Sequence, residues 1–337
     1  TNDRIVINMS SQTEFLNAIN GYLRGNVAVT LTNDGTNVAT KAFDEGGVMS
    51  CFRSIELRTQ SGVLIERWDR ANRLYAMVSN ATQSRGFVES VMGTQYDSVG
   101  VAPNTVDPYS SATALTDYRS ARNEITGAGV SREFAMKIPL GFFNMLQDIP
   151  LMLIKQGLQL ILEMDRPQFI INSHEAETGA GFAGLDVVLS NVRYVATMVT
   201  PDESIVQEYL KKYNSDGMHY TFQTWRHRRK TVQQDEASGA NLSYQFGVRS
   251  ARAVFSVLQS SLLSDTASDD AINYDSVSTF LSTNIKQYQY RSGAEEYPNH
   301  EVKLIEGVNQ NGYSEAYDQL MLAVNQYGSK LHQTRFL

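Results

Sequence analysis

Hydrophobic residues recur at every second position in several stretches of this chain, which is the period of a β-strand with one buried face. The clearest stretch runs from Ser131 to Met164. Phe134, Met136 and Ile138 alternate with Glu133, Ala135 and Lys137; further on, Leu158, Leu160, Leu162 and Met164 alternate with Gln159, Ile161 and Glu163. Two copies of Ile-Pro-Leu, at 138–140 and 149–151, lie between them. A proline cannot donate to a ladder, so each copy predicts a strand end or an edge. The pattern predicts two strands facing each other across a compact corner. They would form the wall of a β-barrel or the antiparallel core of an enzyme.

The same reading extends along the chain. Arg4–Met9 predicts a short strand, 13–22 a turn of helix or an extended crossing, and Gly25–Leu31 a second strand ended by Asn33-Asp34-Gly35. Ile55 and Leu57 enter a hairpin that turns at Gln60-Ser61-Gly62 and returns through Val63-Leu64-Ile65. The period then changes: Trp68, Ala71, Tyr75 and Val78 fall on one helical face. Residues 80–129 are rich in Ser, Thr, Gly, Asn and Asp and predict a long exposed loop, and 173–184 predicts another. Leu185–Thr200 predicts one or two strands, and Pro201-Asp202-Glu203-Ser204 caps a linker helix.

The second half restarts in β. Strands are predicted at Tyr220–Trp225, Leu242–Val248 and Ala253–Leu258. A hairpin through Ile285–Tyr290 turns at Gly293 and returns at Glu301–Ile305, with Glu295-Glu296 in the turn. Tyr313, Tyr317, Leu320, Val324 and Tyr327 then fit a helical face. Both halves therefore run through strands, a hairpin and a helix, the order expected of a duplicated domain. The predicted organisation is a first domain at 1–200, a linker at 201–218 and a second domain at 219–337.

Composition narrows the function classes. At 337 residues two domains are the natural expectation, and 42% hydrophobic residues suffice for a sizeable core. A net charge of −7 argues against a protein that coats nucleic acid along its length. The single cysteine, Cys51, excludes an intrachain disulfide and a cysteine-based zinc site. No apolar leader opens the chain, and the most apolar run, 138–162, is interrupted by polar residues, so a soluble protein is expected.

Catalytic signatures are weak. His174, His219, His227, His300 and His332 are scattered without metal-ligand spacing, and His174-Glu175-Ala176-Glu177 reads as a solvated acidic loop. Gly47-Val48-Met49-Ser50-Cys51 lacks the closing glycine of a nucleophile elbow, and no phosphate-binding glycine loop ending in Lys occurs. No catalytic residue, metal site or cofactor is expected. The one dense basic cluster is Arg226, Arg228, Arg229 and Lys230, following Trp225. It reads either as a strand end paired with acidic neighbours such as Asp235 and Glu236, or as a contact for DNA, anionic lipid or another protein. The tyrosines at 288, 290, 297, 313, 317 and 327 suit core and interface packing, or a carbohydrate surface.

Three pieces carry a resemblance to a known family: the hairpin and helix at 51–75, Lys137–Phe143 with Ile149-Pro150-Leu151, and Gln287–Gly293 with Tyr297-Pro298. With these, the chain resembles the double jelly-roll major capsid proteins of tailless icosahedral double-stranded DNA viruses, of the polinton-like virus and virophage type. The resemblance implies an all-β fold of two β-sandwich barrels side by side, with short helices after the hairpins. It implies a structural protein, not an enzyme, assembling as a homotrimer of pseudo-hexagonal outline. Its partners would be neighbouring capsomers, penton and minor capsid proteins, with weak contact to DNA or an internal membrane and no small-molecule substrate. Its place would be the virion capsid, built in the host cell. One departure is expected to matter: the second half stops just after its helix, so that barrel is incomplete or completed by other elements. The alternatives are a carbohydrate-binding β-sandwich spike or adhesin and a β-sandwich hydrolase.

Overall fold

Strands form where the two-residue period is sustained, and helices where it changes to the helical one. The computed structural model describes residues 3–31, 41–43, 46–82, 131–154, 156–173, 185–232, 242–245, 248, 250–258, 285–304 and 313–328. Strands β1 (Arg4–Met9), β2 (Phe15–Leu31), β3 (Lys41–Phe43), β4 (Phe52–Thr59) and β5 (Leu64–Asp69) precede helix α1 (Ala71–Thr82). Then come β6 (Ser131–Met136), β7 (Ile149–Pro150), β8 (Leu158–Met164), the one-turn helix α2 (Pro167–Ile170) and β9 (Ile171–Ser173). The long β10 (Leu185–Val199) leads into α3 (Glu203–Asp216). Hairpin β11 (Gln287–Ser292) and β12 (Glu295–Lys303) and helix α4 (Tyr313–Gly328) follow. The chain divides into two compact units: the first reaches through α3 to Lys230, and the second holds β11, β12 and α4.

The first unit is built on two larger antiparallel sheets, with β3 and β9 forming a separate two-stranded pair among the described residues. One has the order β1-β8-β4-β5, and the other β10-β2-β6, with β7 also paired to β2. The strands at 131–136 and 158–164 do not pair with each other; they lie in different sheets. Their apolar rows still enter one core: Phe134 and Met136 from β6 and Leu158, Leu160 and Leu162 from β8 are all buried with Ile55 and Leu57 of β4. Each such leucine withdraws enough apolar surface to contribute about 1.5–3 kcal/mol. This is a largely β, jelly-roll-like architecture with a few short helices.

Several expectations are corrected within the first unit. Residues 15–31 form one continuous strand, which selects the extended reading of 13–22 over the helical turn and joins it to the strand expected at 25–31, because β10 pairs along almost its whole length. Gly25 does not interrupt it: a Cβ there would meet the Phe134 ring at 2.9 Å, so the bare backbone gives the ring its place in the core. Trp68 lies within β5 and does not start α1; the chain changes direction at Arg70, whose φ is +58°. The helix is tied down by Asn72, whose Nδ2 donates to Asp165 Oδ2 at 2.8 Å, while the Asp165 N–H donates to the Cys51 carbonyl at 2.8 Å. The helix after Pro201 runs to Asp216, within the expected linker, and buries none of its residues.

In the second unit the hairpin turns at Gly293, which has φ +65° as the turn requires. The return strand starts at Glu295, so Glu295 and Glu296 are strand residues, and Glu296 pairs with Arg291 at 3.1 Å. The described residues of 242–258 carry no ladder, and Val248, Val254 and Val257 are exposed. Helix α4 forms as expected, with Tyr317 exposed. The long loop at 80–129 falls outside the described residues from 83 onward, as do the loop at 174–184, His174 and His332. Among the described residues no helix is long and apolar enough to cross a membrane.

Candidate functional site

Residues 219–230, expected in part as a strand, form no ladder and instead run extended as a strap on the first unit. The strap is held by rings. Tyr220 and Phe222 meet Phe142 edge-on at centroid distances of 5.7 and 5.4 Å, and Trp225 meets Trp68 at 6.5 Å. Edge-to-face pairs of this kind add to the burial of the rings themselves. Beside Gly141 the approach is so close that a Cβ built there would lie 1.6 Å from the Gln223 carbonyl oxygen.

A buried carboxylate anchors the same region. Glu66, on the edge strand β5, is 3% exposed. Its Oε1 accepts from the Gly141 N–H and the Trp68 indole N–H, both at 3.0 Å, and its Oε2 from the Phe142 N–H at 2.9 Å. The Thr224 side chain of the strap adds a further hydrogen bond. Burial pushes the Glu66 carboxyl above its usual range, and these four donors pull against that shift without cancelling it. One side chain thus joins β5, the corner after β6, and the strap.

Where the strap leaves these rings, a cleft of ≈ 400 Å³ opens, lined by Arg53, Ser54, Arg67, Asp69, Arg70, Glu163, His227 and Arg229. Sheet register explains the convergence. Ser54 lies directly across from Asp69 on one side and Glu163 on the other, and its Oγ donates to Glu163 Oε2 at 2.7 Å. A register shift between Phe52 and Ser54 falls beside Arg53, and such bulges re-aim side chains. Arg67 Nε donates to Asp69 at 2.8 Å. Arg70 enters from the joint between β5 and α1, and His227 and Arg229 from the strap. Burial lowers the Arg70 guanidinium, reinforced by Arg53 and Arg229 and opposed by Asp165 and Asp69. His227 is likewise lowered, first by enclosure and next by Arg70, so its ring is uncharged at neutral pH.

Of the four basic residues singled out in the sequence, Arg229 alone lines the cleft. Arg226, Arg228 and Lys230 are exposed, and Arg228 donates to the His227 carbonyl at 3.3 Å. Arg53, Arg67 and Arg70 carried no signal in the sequence, since their meeting with residue 229 depends on the hairpin register and on the path of the strap. Among the described residues no group of three or more His, Cys, Asp or Glu side chains is placed to hold a metal ion.

No protein-family model matches the chain, and no curated protein matches it. Among solved structures it is similar to a crystal structure of mavirus major capsid protein, at 13% sequence identity and a TM-score of 0.31. That similarity covers 60% of this chain and 44% of the capsid protein, so the chain spans less than half of the protein it matches.

Proposed function

We propose that this protein is a viral major capsid subunit whose work is self-association into trimers that tile an icosahedral shell. The observation that carries the reading is the recurrence of one element order on an antiparallel scaffold. In the first unit the hairpin β4–β5 runs into α1, and in the second the hairpin β11–β12 is followed by α4. Two such units per subunit, repeated by a threefold axis, give six similar blocks and a near-hexagonal outline suited to flat facets. The two-sheet sandwich of the first unit supports the reading, because its core is self-contained and leaves loops and strand ends for neighbours. The domain division at residues 201–218, the second jelly roll, the partner capsomers and a location in the virion belong to the same proposal. On this reading the protein binds no small-molecule substrate and is not an enzyme.

Size-exclusion chromatography with light scattering tests it directly. A trimer mass, with assembly into sheets or shells at high concentration visible by electron microscopy, is the expected result. A monomer at all concentrations, together with saturable glycan binding, refutes it and favours the carbohydrate-binding alternative.

A further inference from the structure

We infer that the peptide bond between Arg229 and Lys230 is a processing site for an endoprotease that reads arginines. The four residues before the bond are Arg226-His227-Arg228-Arg229. They set a basic side chain at the first, second and fourth positions before the bond, a spacing that occurs once in the 337 residues. The structure adds a second, independent condition. Residues 226–232 are exposed without a break, and none of them lies in a helix or a ladder. An endoprotease takes its substrate as an extended strand laid along an edge of its own sheet, with pockets for successive side chains. Residues held in a helix or between two strands must first open locally, at a cost in free energy. This run is already free of both, and exposed segments of that kind are where nicking concentrates.

The surroundings of the bond fit the same role. The last ring contact of the strap, Trp225 on Trp68, lies just before the run, so the chain is held on one side of the bond only by residues the protease does not need to move. From 217 to 234 the sequence holds four Lys or Arg residues and no Asp or Glu. A protease of matching specificity offers carboxylates in its pockets, and each guanidinium pairs with one through a planar fork of donors. Among the described residues, every ladder of the first unit lies before the bond, and hairpin β11–β12 and α4 lie after it, so the cut breaks no strand pairing. In the reaction the oxygen of a water molecule ends on the Arg229 carbonyl carbon and the C–N bond to Lys230 breaks. Arg229 is left with a carboxylate and Lys230 with an amine, the protease supplying nucleophile and proton transfer. The inference stands apart from the capsid reading, since it concerns one bond of one chain and no neighbouring copy.

The test digests the folded full chain with a subtilisin-type processing endoprotease that requires arginine at the first and fourth positions before the bond, followed by intact mass. Two fragments, 1–229 and 230–337, are the expected first products, with an unchanged far-ultraviolet circular dichroism spectrum. Arg229→Gln and Arg226→Gln should each slow the cut by about tenfold or more, the loss of one charge-assisted pair. Lys230→Gln, on the far side of the bond, should leave the rate within twofold, and the melting temperatures of all three variants confirm folding. N-terminal sequencing of the protein from its natural source should find a chain that begins at Lys230. A first cut at another bond, an Arg226→Gln rate equal to that of the wild type, or only uncut chain in the natural material overturns the inference.

Discussion

Gly141→Ala is the most direct probe of how the strap is held. The added methyl would lie 1.6 Å from the Gln223 carbonyl oxygen and 2.7 Å from its carbon, where real Cβ contacts essentially never come under 3.0 Å. The atoms in the way are backbone, so no side-chain rotation relieves the clash. Either the strap or the corner must move by more than an ångström, and both are joined at Glu66. Moving the strap draws Thr224 away from the carboxylate and pulls Tyr220 and Phe222 off Phe142. Forcing one methyl into a packed site costs about 1–3 kcal/mol. For a unit of this size that lowers the melting temperature by about 2–12 °C. Trypsin supplies a local readout, because Arg226, Arg228, Arg229 and Lys230 follow the last ring of the strap. Limited digestion of Gly141→Ala should cut there several times faster than in the wild type, while β8 and β10 stay protected. An alanine variant with an unchanged melt and an unchanged cut rate would show that the strap does not bear on Gly141, and the account of this region would fail.

The remaining predictions concern the same unit. Glu66→Gln keeps the shape of the side chain but turns one acceptor into a donor opposite the Phe142 or Gly141 N–H, at a cost of about 1–3 kcal/mol. Because burial raises the Glu66 carboxyl, the stability it contributes is full below the ordinary carboxyl range, about pH 4.3, and is lost as pH rises through the folded value. Thermal melts of both proteins across pH should therefore show the wild-type margin narrowing upward, and a margin that widens would contradict the assignment. Cys51 is fully buried and burial pushes its thiol up, so a thiol reagent should label it only after denaturant unfolds the chain. Replacing Arg226, Arg228 and Arg229 with Ser together should leave the mass of the proposed trimer intact in light scattering; its loss would make the basic cluster an intersubunit pairing site.

Much of this arrangement was legible in the alternation of residues. Leu158 to Met164 had to be a strand with one buried face, and Gln60-Ser61-Gly62 had to turn, since each conclusion rests on neighbours in sequence. Tyr220 to Trp225 shows where such reading stops. Its alternating rings predict a strand, and rings do hold it, but no ladder partner lies alongside, so the same period yields a strap. Residues 15–22 show the reverse: an ambiguous local pattern became strand because β10 offered a partner for nearly its full length.

The cleft was hidden for the same reason. The run Arg226 to Lys230 stood out because its charges are consecutive, yet consecutive residues on an extended segment point in different directions, and Arg229 is the one that reached the cleft. Its companions are far away in sequence. The residue order alone determined which segments are amphipathic, where the chain turns and that one core could form, because those depend on local period and composition. Which strands became neighbours, that Glu66 would be buried under four donors, and that arginines from β4, β5 and the strap would share one space were decided by tertiary packing, because register and long-range contact are properties of pairs of segments.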